Sequence, residues 1–276
     1  MKKRILITGG TGFVGRKLVE EIKNTYDVKV LSQKSTEKNI IPGNLLIKES
    51  LENSFKRIDT VVHLAASKNN PENIPMAENL VEICRKNKIK KIIYMSSMAA
   101  KRSFPDEYGK TKQKIEKIII DSGLKYTILR PSIIYGPGST SFNFILEKIR
   151  KLPFVPIVGN GRYLIFPVHI DDIIKAVGNC INNPKTNNKE YDIPGGDGVY
   201  FIEMINELKR QIGIRKPNLS IPVSLCRLIS IIAPNIISPE NIKNLTEDSL
   251  ADLENTKRDL KINIRGFREG VKNGII

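Results

Sequence analysis

The chain has 276 residues, of which 40% are hydrophobic and 27% charged, enough for one large core or a core plus a lobe and unlike a disordered chain. Its three cysteines, Cys84, Cys180 and Cys226, form no Cys-x-x-Cys and the two histidines do not cluster, which argues against a disulfide framework or a zinc site and fits a reducing cytoplasm. The net charge of +16 is carried by scattered lysines, with aromatics at 6% and no tryptophan, so no nucleic-acid partner is expected and the charge would serve to attract an anionic substrate.

Residues 4–8 read as a short apolar strand, too short for the core of a signal peptide, and run through glycines into an amphipathic helix ending near 24. Strands are expected at 28–31, weakly near Ile40, and at 60–64, 91–96 and 126–130; helices are expected at 72–87 and at 108–122, where Gly123 stops the turn. Strand and helix alternating at this spacing predict an α/β fold, a Rossmann-like doubly wound parallel sheet, over 1–138. After Pro131 glycines and prolines punctuate shorter pieces, with helices expected at 141–151, 171–182, 200–211, 223–232 and 267–272. Residues 139–276 thus read mainly as a smaller C-terminal substrate-binding lobe, with 164–182 returning to the sheet. The most apolar stretch, 221–237, is interrupted by Arg227, Pro234 and Asn235; it reads as a packed helix, with a membrane-surface role as the lesser alternative and no stable insertion.

Thr8-Gly9-Gly10-Thr11-Gly12-Phe13-Val14-Gly15 joins the first strand to the first helix. Glycines at this spacing permit a tight turn, close approach of a pyrophosphate and close helix–strand packing, while the helix N-terminus offers free N–H groups. Placed between a strand and a helix, the pattern marks a dinucleotide site. An NAD-preferring site carries an acid at the end of the second strand, and here the run is Leu31-Ser32-Gln33-Lys34-Ser35. Ser32, Lys34 and Ser35 are placed to receive a 2′-phosphate, which favours NADP over NAD, although Lys34 also reads as a solvated loop lysine.

Tyr108 and Lys112 are four residues apart and so share one helical face. A neighbouring ammonium favours the phenolate and would draw a tyrosine pKa of about 10 toward neutrality. With Ser97 holding a carbonyl or alcohol oxygen, Tyr108 would move its proton in a reaction coupled to hydride transfer.

In this order these motifs resemble the short-chain dehydrogenase/reductase superfamily, specifically its NAD(P)-dependent epimerase/dehydratase branch of extended or atypical type. The resemblance spans nearly the whole chain: the glycine turn, Pro42-Gly43-Asn44-Leu45, Asp59-Thr-Val-Val-His63-Leu-Ala-Ala66, Tyr94-Met-Ser-Ser97, Tyr108-Gly-Lys-Thr-Lys112, Leu129-Arg130-Pro131-Ser132, Tyr135-Gly-Pro-Gly138 and Pro167-Val-His-Ile-Asp171-Asp172. It implies Ser97, Tyr108 and Lys112 as the catalytic set, with Lys112 also holding the nicotinamide ribose. It places Gly9, Thr11, Gly12, Phe13, Val14, Gly15, Asn44, Leu45, Leu64, Ala65, Ala66, Pro131 and Ile133 at the cofactor, and Asn73 at a family asparagine. Ser132 joins Ser97 at the substrate. From the residues alone, Arg162 and Lys151 are candidates for a diphosphate or are solvated; His63, His169, Asp171 and Asp172 read as structural. No metal is expected.

The function implied is C4 epimerisation or 4-keto reduction of a nucleotide sugar in the cytoplasm, by a chain that would pair as a homodimer. Two departures stand out: the interval from Ser97 to Tyr108 is short for an extended member, and so is the chain. Atypical relatives trimmed in this way serve as non-catalytic NADP(H)-binding modules, the alternative reading, but they commonly lose the serine or tyrosine that this chain keeps.

Overall fold

The computed structural model of the protein describes residues 2–33, 39–232, 242 and 253–272. In β1 (Arg4–Thr8) side chains alternate, so Ile5 and Ile7 join one core cluster and Leu6 the other, all three fully buried. A strand buried on both faces belongs in the middle of a sheet. The chain continues through α1 (Phe13–Ile22), β2 (Asp27–Ser32), β3 (Ile40–Pro42), β4 (Thr60–His63), α2 (Asn73–Lys86), β5 (Lys91–Met95), α3 (Glu107–Ile120) and β6 (Tyr126–Pro131). These lie within a residue or two of the expected elements, and the strands pair in parallel.

The second half adds β7 (Ile134–Tyr135), α4 (Thr140–Lys151), β8 (Val155–Val158), β9 (Leu164–Ile165), β10 (Val168–His169), α5 (Ile170–Ile181) and β11 (Lys189–Ile193). It ends with β12 (Val199–Tyr200), α6 (Phe201–Gln211), β13 (Asn218–Ile221), α7 (Val223–Ile232), α8 (Glu254–Leu260) and α9 (Phe267–Lys272). A third core, with Tyr135, Phe142, Leu146, Met204, Leu208 and Phe267, holds α4, α6 and α9 to the short strand pairs.

The large sheet runs β11-β6-β5-β4-β1-β2-β3, with α1 packed on α5 and α2 on α3. The chain leaves β1 toward β2 and β3, then returns on the other side with β4, so a crevice opens beyond the carboxyl ends of β1 and β4. The sequence assigns the return to the sheet to 164–182; helix α5 of that range packs against α1, while the strand that joins the sheet is β11, pairing Lys189–Ile193 with Thr127–Pro131. At the start of α5 the N-cap is His169, whose Nδ1 accepts the Asp171 N–H at 3.2 Å. Buried Asp172 instead grips the Arg265 backbone N–H (3.1 Å) and guanidinium (3.0 Å), tying the C-terminal segment to the sheet.

Candidate functional site

The glycine turn fits a dinucleotide because side chains cannot. Gly9 has φ +72°, and a Cβ there would lie 2.6 Å from the Ala65 nitrogen. At Gly15 a Cβ would lie 2.2 Å from the Gly9 carbonyl oxygen and 2.6 Å from the Gly10 Cα. Helix α1 has no side-chain cap and no acid in its first turn, so its positive end and unpaired N–H groups are not already neutralised. The crevice before it has a volume of about 780 Å³, within the range of cofactor pockets, and Thr8, Gly9, Gly10, Thr11, Asn44, Leu45, Ala65 and Ala66 line it. We expect Gly15→Ala to cost about 1–3 kcal/mol and to weaken dinucleotide binding by about tenfold or more; thermal denaturation and a titration of NAD(P)H fluorescence would show it.

At the far end of the crevice stand Ser32, Gln33, Asn39 and Arg16. Among the described residues β2 ends at Ser32 and brings no carboxylate to this rim, while Glu72 also lines the crevice. Lys34 and Ser35 lie outside the described residues. Arg16 escaped the sequence reading; its Nε donates to the Thr11 carbonyl at 2.6 Å, which holds the guanidinium at the rim. Its signal was a cation one residue beyond the last glycine of the turn. Asn44 keeps its Oδ1 for the Leu46 N–H (2.9 Å), so only its amide nitrogen is left to face a base. Gly12, Phe13, Val14, Gly15 and Leu64 do not line the crevice themselves; Phe13, Val14 and Leu64 pack on the core.

Helix α3 brings the catalytic candidates together. Asp106 caps it by accepting the Gly109 N–H at 2.8 Å, and Gly109 lets the helix close to where a Cβ would be 2.5 Å from the Ala99 carbonyl. That approach sets Tyr108 on the side of Ser97, which lies two residues past β5 and whose hydroxyl works to lower the phenol pKa. One turn on, buried Lys112 donates to the Met95 carbonyl at 3.1 Å, with Nζ 4.9 Å from the Tyr94 ring centre and 5.6 Å from that of Tyr108. Burial lowers the Lys112 pKa to about 8 against the pull of Glu116.

The tyrosine departs from expectation. Although 46% of the residue's surface is exposed, loss of water around the phenol in the cleft raises its pKa, opposed first by the Ser97 hydroxyl, and Lys112 is not among the causes. Tyr108 is therefore a protonated acid at neutral pH while Lys112 keeps its charge up to about pH 8. His63 stacks on Tyr94 (5.4 Å), shares a 2.7 Å hydrogen bond with Thr8, and is held neutral by burial, with a pKa of about 3.

Beneath the pair lies a network that the sequence reading missed. Buried Glu116, one turn beyond Lys112, accepts from Ser96 and takes Arg130 through both oxygens, at 2.9 and 2.5 Å. Arg130 also meets Glu190 and approaches Asp192 at 3.9 Å. Above, Asn73 accepts the Ser67 N–H (2.7 Å), and Asn70 donates to Glu107 and Thr111, pinning the 65–73 loop to α3. This loop separates the crevice from a second cavity of about 260 Å³ lined by Tyr108 and Lys112; Ala66 and Ser67 line both.

The remaining candidates are less engaged. Pro131 is buried at the end of β6, and Ile133 packs on the lobe core. Ser132 donates its hydroxyl to the Phe166 carbonyl. Arg162 is exposed on the turn between β8 and β9, outside both cavities, as is Lys151, which pairs with Glu147. Among the described residues no cluster of His, Cys, Asp or Glu could hold a metal ion.

The model of the NAD dependent epimerase/dehydratase family matches residues 5–193. A UDP-glucose 4-epimerase of Vibrio cholerae is 28% identical, over 94% of this chain and 90% of its own. The UDP-glucose 4-epimerase of Thermotoga maritima, solved with UDP-glucose, superposes with a TM-score of 0.77 over 99% of this chain and 97% of its own, at 24% identity. The dTDP-glucose 4,6-dehydratase of Bacillus anthracis, solved with NAD, has a TM-score of 0.77 over 99% and 95% at 16% identity. The two structures attest the fold.

Proposed function

Because the chain belongs to the NAD dependent epimerase/dehydratase family, we propose that it is an NAD(P)-dependent epimerase or reductase acting at C4 of a nucleotide-linked sugar. The observation that carries the reading is Tyr108 beside the buried Lys112, whose Nζ is 5.6 Å from the phenol ring centre, in a cavity that shares Ala66 and Ser67 with the crevice. A bound nicotinamide supplies the site with a hydride donor or acceptor. Ser97 would hold the C4 oxygen, and Tyr108, protonated at neutral pH, would give that oxygen its proton or take it back. Lys112 would hold the nicotinamide ribose and supply the positive charge that steadies the phenolate when it forms. The glycine turn and α1 would take the pyrophosphate.

Two features support NADP over NAD: no acid ends β2, and Arg16 with Ser32 stands at the rim where a 2′-phosphate would lie. Arg16→Ala should raise the Kd for NADPH by about tenfold and leave that for NADH nearly unchanged. Equal loss for both cofactors would contradict this assignment.

Denaturing the purified protein and identifying the released nucleotide tests the reading. Retained NAD⁺ would mark an epimerase, and an empty site that prefers added NADPH a reductase. Binding of neither cofactor would overturn it.

A further inference from the structure

Helix α7 is amphipathic in the opposite sense to a helix packed on a core. It buries Cys226 and Ser230, while Leu225, Leu228, Ile231 and Ile232 are 46%, 53%, 76% and 75% exposed. Positions 225, 228 and 232 form one stripe at helical spacing. The approach to the helix adds to this surface. Leu219 in β13 is exposed opposite exposed Pro156 of β8, and Phe154 is exposed just before β8. Single exposed apolar residues are ordinary, but six large ones in one part of a lobe are not.

Charge identifies what would cover them. Between Glu207 and Glu240 the sequence has five basic residues, Lys209, Arg210, Arg215, Lys216 and Arg227, and no acidic one. Arg210 is paired with Glu207, but Arg215 and Arg227 are exposed and make no ion pair among the described residues. Arg227 lies on α7 itself, between Leu225 and Leu228. An apolar stripe accompanied by uncompensated cations, in a chain of net charge +16, complements a surface that is anionic outside and apolar just beneath. No described helix is long and apolar enough to cross a membrane, so α7 would lie in the plane of the interface.

We propose that α7, together with Leu219 and Phe154, docks the protein on the surface of an anionic lipid bilayer. The test is sedimentation of the full chain with vesicles of phosphatidylcholine alone or mixed with phosphatidylglycerol. The chain should pellet with the anionic vesicles, less so as salt is raised. Leu228→Asp with Ile232→Asp should lower the partition constant by about tenfold or more. Dinucleotide titration and the thermal midpoint would show that this variant is folded, and Leu228→Asn alone, with a smaller drop, keeps the test decisive if it is not. A parent chain that ignores anionic vesicles, or variants that pellet as well as the parent, would overturn the proposal. So would a dimer of the parent that the double variant dissolves without any vesicle binding, since the face would then belong to a second copy.

Discussion

Tyr108→Phe should lower kcat on a nucleotide sugar by about 10²–10⁴-fold, because it removes only the group that carries the proton. Tyr108 as a whole residue is 46% exposed and the change removes only its hydroxyl, so the fold should not weaken measurably. Dinucleotide affinity should stay close to that of the parent, since Lys112 holds its position through the Met95 carbonyl and not through the phenol. Steady-state kinetics beside a cofactor titration separates the two effects. A Tyr108→Phe protein with full turnover would remove the tyrosine from the mechanism, and one with lost cofactor binding would recast it as a binding residue.

Glu116→Ala should be the most destabilising single change at the site. The Glu116 and Arg130 side chains are 7% and 12% exposed, and removing one partner leaves a buried guanidinium short of two charge-assisted hydrogen bonds. Breaking a buried pair in this way costs about 3–5 kcal/mol. Arg130 retains Glu190 nearby, which points to the lower end, or a fall in Tm of about 6–12 °C for a chain of this size. Glu116→Gln, which keeps the shape and one acceptor, should cost clearly less. Equal thermal midpoints for Glu116→Ala and the parent would show that the network contributes nothing.

The parts of this molecule that could be read from sequence are those whose physics is local. Ile5, Leu6 and Ile7 alternate, glycines follow at once, and the next ten residues have helical period; nothing distant is needed to see a βα unit with a phosphate turn. Tyr108 and Lys112 were visible for the same reason. Glu116 sits at the same helical interval beyond Lys112, yet its importance lies in Ser96 and Arg130, which only folding brings to it. The edge strand β11 was missed because Lys189, Glu190 and Asp192 make it look like a loop. Its charges are offset by Asp259, Arg130 and Lys101, each from another element. The phenol's raised pKa was misjudged likewise: spacing revealed the ammonium, but the dominant cause, burial, belongs to the whole cleft. Ser132 was drawn to the substrate by its neighbours in sequence, whereas its hydroxyl is committed to Phe166.

Product analysis decides whether this chain is a sugar enzyme: the purified parent is supplied with NAD⁺ or NADPH and a panel of UDP- and dTDP-linked hexoses and their 4-keto forms. The expected result is either conversion to the C4 epimer without net change at 340 nm, or NADPH consumption with reduction of a 4-keto sugar, and in both cases loss of the activity in Tyr108→Phe. A protein that binds the dinucleotide yet turns over none of these sugars would contradict it and would leave the chain a cofactor-binding module.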